Sequence, residues 1–508
     1  MSQPTRPFPG ASATLAVVDM GSNSFRLELG RVEGRQIFRL GTWRETLRMG
    51  ASLDAQGRIR PAFERAALAC LARFGERLAA LHPSAVRAVA TNTFRVATNA
   101  SVFLAKAESA LSFPIEVISG HEEARLIYLG IAHLLPPDDA PRLAVDIGGG
   151  STELIIGRGR KSMRLESLSL GCLTYSQRFF GDGRLSTSAF DAADTNASVE
   201  IEAIARDFNR EHWCHAYASS GTALALADIL KQNDISTVGI TLDGLRALRA
   251  RMIRARHIDR LHLGGLKPDR APVIAGGLAI MIAVTAGLGI ERIDAVGGAF
   301  RMGLMFDMLG RGAARDVRAA SVHQFAKRYR IDVLHCRRVA EMARMLYSTA
   351  IAHPAEESLR HIGWAGLLHE IGYSVSHAGF NKHGAYILDH ADMPGFSAQE
   401  QRLLAILVLT CRGRLPNAAK VLTDPDMRAQ ILALRLAVLL NHARSAEDPL
   451  GIALKIGKTI HLTISGHWLT AHPLTLNLIE HERAEWQSLG YSWRLTRSRI
   501  GARLQGSE

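Results

Sequence analysis

The residues best suited to chemistry stand in one run, Asp146-Ile-Gly-Gly-Gly-Ser-Thr-Glu153. Three consecutive glycines lie between two carboxylates. Such a turn can take positive φ, admits a ligand close to the backbone, and gathers N–H groups into a concavity suited to phosphate oxygens. Bare Asp146 and Glu153 would repel that phosphate. A hard divalent cation such as Mg²⁺ between them resolves the conflict, because it accepts carboxylate, water and phosphate oxygens together. Taken singly, the run also fits a plain hairpin with its acids in water. A second copy, Asp19-Met-Gly-Ser-Asn-Ser-Phe-Arg-Leu27, changes the balance. It aligns Asp19 with Asp146, Gly21 with Gly148, Ser24 with Ser151 and Leu27 with Leu154. A duplicated strand–Asp–x–Gly–turn–strand is far more specific than either copy. Two such loops facing across a cleft would grip a polyphosphate group and its metal from both sides.

Three further candidates each have a bland alternative. Arg95, in Thr91-Asn-Thr-Phe-Arg95, follows a strand end, where α/β folds bind ligands. Its guanidinium suits paired phosphate oxygens, or is a solvated residue at a helix start. In Ser119-Gly-His-Glu-Glu123, Ser119 and Glu122 have capping-box spacing, which gives Glu122 a structural job. Glu123 has none, so it is either an exposed glutamate or a general base facing the cleft. Ser220-Gly221-Thr222 opens a helix and reads as a phosphate cradle or a helix cap.

The elements that must position these groups can be traced in order. Thr14 to Leu29 forms a strand pair, and Gln36 to Leu40 a third strand. Pro61 to Leu81 is a helix, Val86 to Ala90 a strand, and a helix starts near His121. Pro136 to Pro141 links the two copies. Apolar runs Leu143–Val145 and Leu154–Ile156 flank the second glycine turn, and Leu168–Leu173 and Ala216–Ser219 are further strands. A helix follows over Leu245–Arg260. Ala271 to Ile290 carries no charge and is about long enough to span a bilayer. Pro272 and its glycines instead suggest a strand, a turn and a buried core helix. Ile293 to Val296 is a strand, and the helix after it closes this half near Leu309.

Arg311 to Arg318 reads as a linker, and Val322 to Ser445 as helical. Leu367-Leu-His-Glu-Ile-Gly372 is close to the His-Asp-x-Gly signature of HD-type metal phosphohydrolases, with Glu370 in the aspartate's place. The longer side chain moves the carboxylate, metal geometry is demanding, and no closing aspartate is evident near Asn441-His442. A degenerate HD-like domain without metal, used for substrate contact or dimerisation, is therefore expected; a working second metal site is the lesser alternative. Beyond it the tail alternates through Leu454, Ile456, Ile460, Leu462 and Ile464. Strands are expected near Trp468 and over Leu474–Leu478, and a helix over Glu480–Leu489.

Composition bounds the answer. The chain has 508 residues and a formal net charge of +13, which favours a polyanionic partner without choosing one. Its five cysteines are scattered and form no CxxC pair, as in a reducing compartment. Met1 to Ala13 reads as a frayed tail without an apolar signal core. A cytoplasmic protein, with no DNA partner and no stable membrane insertion, is expected.

Taken together, the two Asp-x-Gly runs, Ala90-Thr-Asn-Thr-Phe-Arg95, Ser119-Gly-His-Glu-Glu-Ala-Arg125, Ser219-Ser-Gly-Thr222 and Leu368-His-Glu-Ile-Gly372 carry a resemblance. The chain resembles bacterial enzymes of the exopolyphosphatase/guanosine pentaphosphate phosphohydrolase family, in its long form. The resemblance covers nearly everything from Thr14 onward. It implies an α/β fold of duplicated actin/Hsp70/sugar-kinase-like (ribonuclease H-like) domains at 12–138 and 139–311. An all-α HD-like domain at 318–445 and a small β-rich domain at 446–508 would follow. It also implies Glu123 as the base that positions water, and Asp146, Glu153 and Asp19 as Mg²⁺ ligands. Gly21, Asn23, Ser24, Arg95, Gly148, Gly149, Ser151, Gly221 and Thr222 would contact phosphate. The implied reaction is hydrolytic release of terminal phosphate by a homodimer. Inorganic polyphosphate is the first substrate and guanosine pentaphosphate the alternative, with guanosine held near Gly276-Gly277 and Gly297-Gly298. A non-catalytic polyphosphate-binding regulator and an ATP-dependent kinase of the same superfold remain as readings from other classes.

Overall fold

In a computed structural model, residues 13–34, 36–310, 316–415, 421–444, 451–457 and 459–498 are described. Of the expected tail only Ala13, which begins the first strand, lies among them, and most of the expected linker at 311–318 lies outside. The chain divides between residues 314 and 315 into two units.

Unit 1 is built on two sheets of five strands. The first holds β1 (Ala13–Met20), β2 (Ser24–Glu33), β3 (Gln36–Thr46), β4 (Val86–Ala90) and β5 (Ile115–Val117), in the order β3-β2-β1-β4-β5. The second holds β6 (Arg142–Ile147), β7 (Thr152–Arg158), β8 (Lys161–Leu168), β9 (His215–Ser219) and β10 (Ile293–Ala295). Its order, β8-β7-β6-β9-β10, is the same pattern repeated. In each sheet the first strand runs antiparallel to the second and parallel to the fourth. The registers also match, since Asp19 stands opposite Arg26 and Asp146 opposite Glu153. The repeat legible in the motifs is thus a repeat of whole sheets. β1 and β6 are central, so Val17, Val18, Leu143 and Val145 are fully buried, as strands covered on both faces require.

The apolar stretch after Arg270 differs from expectation. It is a single helix, Ala271–Gly287, buried throughout from Val273 to Thr285. Pro272 lies in the first turn, where a missing N–H costs nothing. A Cβ on Gly276 would stand 2.6 Å from the Ser176 nitrogen and 2.7 Å from the Cys172 carbonyl. The glycine therefore admits the neighbouring helix Cys172–Phe180 and does not break its own. A helix buried all round shows no amphipathic period, which is why the pattern misled. Among the described residues, no helix is long and apolar enough to cross a membrane.

Unit 2 packs helices Val317–Arg328, Val333–Ala350, Glu356–Leu368, Phe380–His390, Ala398–Thr410 and Pro425–Leu440 with a three-stranded sheet. That sheet, β11 (Ala453–Ile456), β12 (Thr459–Ser465) and β13 (Ser492–Ser498), shares one continuous core with the helices, through Leu346, Leu432, Leu462 and Trp486. The strands expected near Trp468 and over Leu474–Leu478 are helices instead, Gly466–Ala471 and Pro473–Ser488. Ser465 Oγ accepts from the Trp468 N–H and Pro473 starts the second helix. Its buried residues are Thr475, Ile479, Glu482 and Trp486, a helical spacing, whereas Leu474 is exposed. The leucine alternation was incidental.

Candidate active site

The two glycine loops meet. A Cβ on Gly149 would lie 3.1 Å from Ser22 Cβ and 3.2 Å from the Asn23 nitrogen, and one on Gly150 would lie 2.3 Å from Asn92 Oδ1. None of Gly148, Gly149 and Gly150 adopts a positive φ, so the turn needs glycine for space and not for backbone handedness. The Gly148 N–H is also spent internally, donating to the Ser151 carbonyl at 2.8 Å.

The cleft between the loops is lined by Asp19, Gly21, Asn23, Ser24, Glu123, Asp146, Gly148, Gly149, Ser151, Gly221 and Thr222. Four carboxylates crowd it or stand close to it. Burial pushes Asp146 up to about 7, against a hydrogen bond from the Ser219 hydroxyl and with repulsion from Glu123 and Asp19. Burial also raises Asp19, opposed by Arg301 at 3.4 Å. Glu153 is raised well above the usual carboxylate range by burial, then by Glu123 and Asp146. Glu123 is raised by burial and lowered by Arg95, whose Nη1 donates to Oε2 at 3.0 Å. Mutual repulsion among oxygen donors in a buried cleft fits a hard divalent ion, which would relieve it. Asp19 and Asp146, which both line the cleft, are the residues that could hold one.

Two predicted groups are displaced from the cleft wall. Arg95 is not among the lining residues; it donates to the Ile118 carbonyl and to Glu123, both at 3.0 Å. It therefore orients the candidate base, and a free phosphate clamp is not what its geometry shows. Glu153 is buried opposite Asp146 on the neighbouring strand, off the cleft lining, and accepts from Ser167 Oγ at 2.9 Å. At the helix Ser220–Gln232, Ser220 Oγ accepts from the Thr222 and Ala223 N–H groups at 3.2 and 3.1 Å. The cap reading thus holds for Thr222, although Gly221 and Thr222 both line the cleft. Ser220 has φ +99°, a strained value for a non-glycine residue of the kind found at functional sites.

Sequence reasoning missed three arginines, Arg26, Arg270 and Arg301, that line the cleft. Arg301 pairs with Asp19 and, through Nε at 2.8 Å, with buried Glu28. Burial lowers Arg26 to about 10, with repulsion from Arg301 next. Burial lowers Arg270 as well, with repulsion from Arg44. Neither Arg26 nor Arg270 forms an ion pair with a carboxylate among the described residues. Asn23 is orphaned too: both its Oδ1 and Nδ2 are buried without a hydrogen-bond partner. The duplication held one clue, since Arg26 occupies the place in its copy that Glu153 occupies in the other.

Glu123 and Arg301 reach the same cleft because their helices touch closely. A Cβ on Gly130 would lie 1.8 Å from the Ala299 carbonyl, and one on Gly303 1.8 Å from the Leu126 carbonyl. The helices Gly120–Leu134 and Ala299–Gly310 therefore cross backbone to backbone. Buried charges fix them: Glu122 holds Arg125 through two bonds of 2.7 Å, and Asp307 accepts from Arg125 at 2.6 Å and from Arg87 at 2.7 Å. Glu122 has a structural job, but not the one its spacing suggested: its N–H donates to Ser119 Oγ at 3.1 Å, while its carboxylate holds Arg125 in place of closing a capping box. Glu123 is left as the helix's cleft carboxylate.

Residues 31–312 match a family model described as the Ppx/GppA phosphatase family, and residues 317–483 match that of Ppx/GppA phosphatase, domain III. Among solved structures, an exopolyphosphatase from Cytophaga hutchinsonii is similar at 23% identity and TM-score 0.52, over 58% of this chain and 98% of its own. A structure described as an exopolyphosphatase-like protein is similar at 25% identity and TM-score 0.52, over the same shares. A Ppx/GppA family member from Aquifex aeolicus aligns at 22% identity and TM-score 0.49, over 60% of this chain and 100% of its own. The family model and the two structures at TM-score 0.52 give unit 1 an α/β fold of the actin-like, sugar-kinase type.

Proposed function

We propose that this chain, which belongs to the Ppx/GppA phosphatase family, hydrolyses the terminal phosphoanhydride bond of inorganic polyphosphate, with Glu123 as the base and Mg²⁺ as the metal. One observation carries the reading: a single cleft sets carboxylates against Arg26 and Arg270, which form no ion pair among the described residues, and the Asn23 amide, whose polar atoms have no hydrogen-bond partner among them. One side suits a cation and the other an anion, and a metal-bound phosphate chain supplies both.

In this scheme the Asn23 amide, Ser24 and Ser151 hold the terminal phosphoryl group, while Arg26 and Arg270 neutralise the oxygens behind it. Glu123, oriented by Arg95, takes a proton from the attacking water. Arg301, 3.4 Å from Asp19, opposes the burial that raises its pKa. Asp19 and Asp146, with Glu153 nearby, would hold Mg²⁺, whose chemistry there would be neutralisation of charge on the transferring group. Catalysis is then mostly positioning and charge balance.

Guanosine pentaphosphate is the second reading, favoured by apolar Phe300 and Leu224 on the cleft wall beside Gly298. Gly276, expected near guanosine, is instead packed against the helix Cys172–Phe180. The same proposal carries the four-domain division at 12–138, 139–311, 318–445 and 446–508, an HD-like character for the helical part, and a homodimer.

Phosphate release with Mg²⁺ from long-chain polyphosphate and from guanosine pentaphosphate, measured side by side, tests this. Higher kcat/KM on polyphosphate supports the first reading, and the reverse order supports the second. ADP formation from ATP only when a co-substrate is present would make the chain a kinase. Release from neither substrate would leave a binding protein.

A further inference from the structure

Unit 2 contains a cluster that the reaction above does not use. His335 lies in the first turn of Val333–Ala350, and His369-Glu370 follows the helix Glu356–Leu368. All three are buried, and one ligand atom from each lies within 4.8 Å of the other two. Glu370 Oε1 stands 3.6 Å from His335 Nε2 and 3.9 Å from His369 Nε2. These gaps are too long for hydrogen bonds. A tetrahedral ion with bonds near 2.1 Å keeps its ligand atoms about 3.4 Å apart, so only small side-chain shifts are required.

The surroundings are arranged as for ligation. His369 Nδ1 lies 2.7 Å from the Gly366 carbonyl. A carbonyl can only accept, so Nδ1 carries the hydrogen and the neutral ring offers its Nε2 lone pair toward Glu370. This is the outer-shell hydrogen bond that fixes a ligating histidine. His335 Nδ1 is buried with no hydrogen-bond partner among the described residues, and its Nε2 is the nitrogen that faces Glu370. All three side chains open onto a cavity also lined by Arg412 and His442, which leaves room for further ligands on the ion. One charge competes: the Arg444 guanidinium pairs with Glu370 Oε1 and, at 3.1 Å, with Asp332 Oδ2. That side chain is 44% exposed and can swing into solvent.

We propose that His335, His369 and Glu370 form a second metal site, for a divalent ion of the imidazole-preferring class such as Zn²⁺, with Arg444 neutralising Glu370 whenever the ion is absent. Two imidazoles and one carboxylate suit that class, whereas Mg²⁺ prefers oxygen alone. The inference departs from the metal-free domain expected from Glu370 in the aspartate's place. A longer carboxylate that reaches two histidines from another direction can still complete the set.

The test is a calorimetric Zn²⁺ titration of the full chain in excess Mg²⁺, which saturates the oxygen-donor cleft of unit 1. Wild type should bind one tight equivalent. His369→Ala, His335→Ala and Glu370→Gln should each weaken it by about 100-fold or more. Arg444→Ala, which keeps all three ligands, should bind about fivefold tighter, because an exposed ion pair no longer competes. Circular dichroism on metal-free samples identifies any variant that has lost its fold. Absence of a tight equivalent in folded wild type overturns the site, as does equal binding by wild type and the folded ligand variants. Unchanged affinity in Arg444→Ala overturns the role given to that arginine.

Discussion

Arg95 Nη1 donates to Glu123 Oε2 and to the Ile118 carbonyl, each at 3.0 Å, so one guanidinium ties the candidate base to the end of β5. The bond also acts on the proton. Burial raises the pKa of Glu123, and Arg95 is the largest influence pulling it back toward the ionised form that a base requires. Positioning and ionisation thus depend on the same contact.

Glu123→Gln should lower kcat by about 10²- to 10⁴-fold, the usual worth of a positioned base, with little change in KM. Wild-type kcat should fall as pH drops through the raised pKa of Glu123, where the carboxylate takes up its proton. Removing the guanidinium in Arg95→Ala raises that pKa further, so the acid limb of the pH–rate profile should move to higher pH. A pH–kcat series on the three proteins checks this. An acid limb that stays in place in Arg95→Ala would show that the pair does not control ionisation.

The carboxylate crowding should make the metal-free chain less stable as pH rises. Asp146 moves from its ordinary 3.8 to about 7 on folding. Between those values the folded state holds a proton that the unfolded state has lost, so stability falls with increasing pH. The contribution is fully present below 3.8, is lost as pH approaches about 7, and amounts to about 4 kcal/mol at most, at ~1.4 kcal/mol per pH unit. In the proposed site Mg²⁺ would bind the ionised form and should reverse the loss. Melting curves of unit 1 signals with chelator and with Mg²⁺ should therefore diverge most above about pH 7. A constant gap across pH would remove Asp146 from the metal site.

Asn23 should show the signature of a residue kept for ligand and not for fold. Both polar atoms of its amide are buried without partners, a state that costs about 1–3 kcal/mol per group. Asn23→Ala should leave Tm unchanged or raise it, while kcat/KM for the phosphate substrate falls about tenfold or more, as loss of a charge-assisted hydrogen bond would give. A variant that is less stable yet fully active would mean that the amide has a protein partner and no ligand.

Much of unit 1 was legible because its signal is a repeat. Asp19 and Asp146 align in sequence and end the matching central strands β1 and β6, and a duplicated pattern is hard to produce by chance. What escaped was whatever depends on partners distant in sequence. Arg26 and Arg270 look like ordinary basic residues until folding places them in a cleft where, among the described residues, neither forms an ion pair with a carboxylate. The bond of Arg95 to Glu123, where a phosphate clamp was expected, was hidden for the same reason, as Glu123 lies 28 residues on. Local periodicity misled in two opposite ways: Ala271–Gly287 has no polar face to mark it as a helix, and Leu474, Leu476 and Leu478 alternate on a helix whose buried face is Thr475, Ile479 and Trp486.

The helix crossing at Gly130 and Gly303 should control activity from outside the cleft. In either glycine an added Cβ would stand 1.8 Å from a backbone carbonyl, of Ala299 or Leu126 respectively. Backbone cannot rotate away as a side chain can, so the helices Gly120–Leu134 and Ala299–Gly310 must separate. Such overpacking costs about 1–3 kcal/mol or more. Because these helices carry Glu123 and Arg301, separation should also lower kcat, and a misplacement of order 1 Å can cost about 10²-fold. Gly310, on the same helix, is the control: nothing lies within 4 Å of its added Cβ. Gly310→Ala should be neutral or slightly stabilising, by up to about 1 kcal/mol. Melting temperature and kcat for Gly130→Ala, Gly303→Ala and Gly310→Ala separate the cases. Stability loss with unchanged kcat would show that the cleft tolerates the displacement, and equal behaviour of all three would refute the close crossing itself.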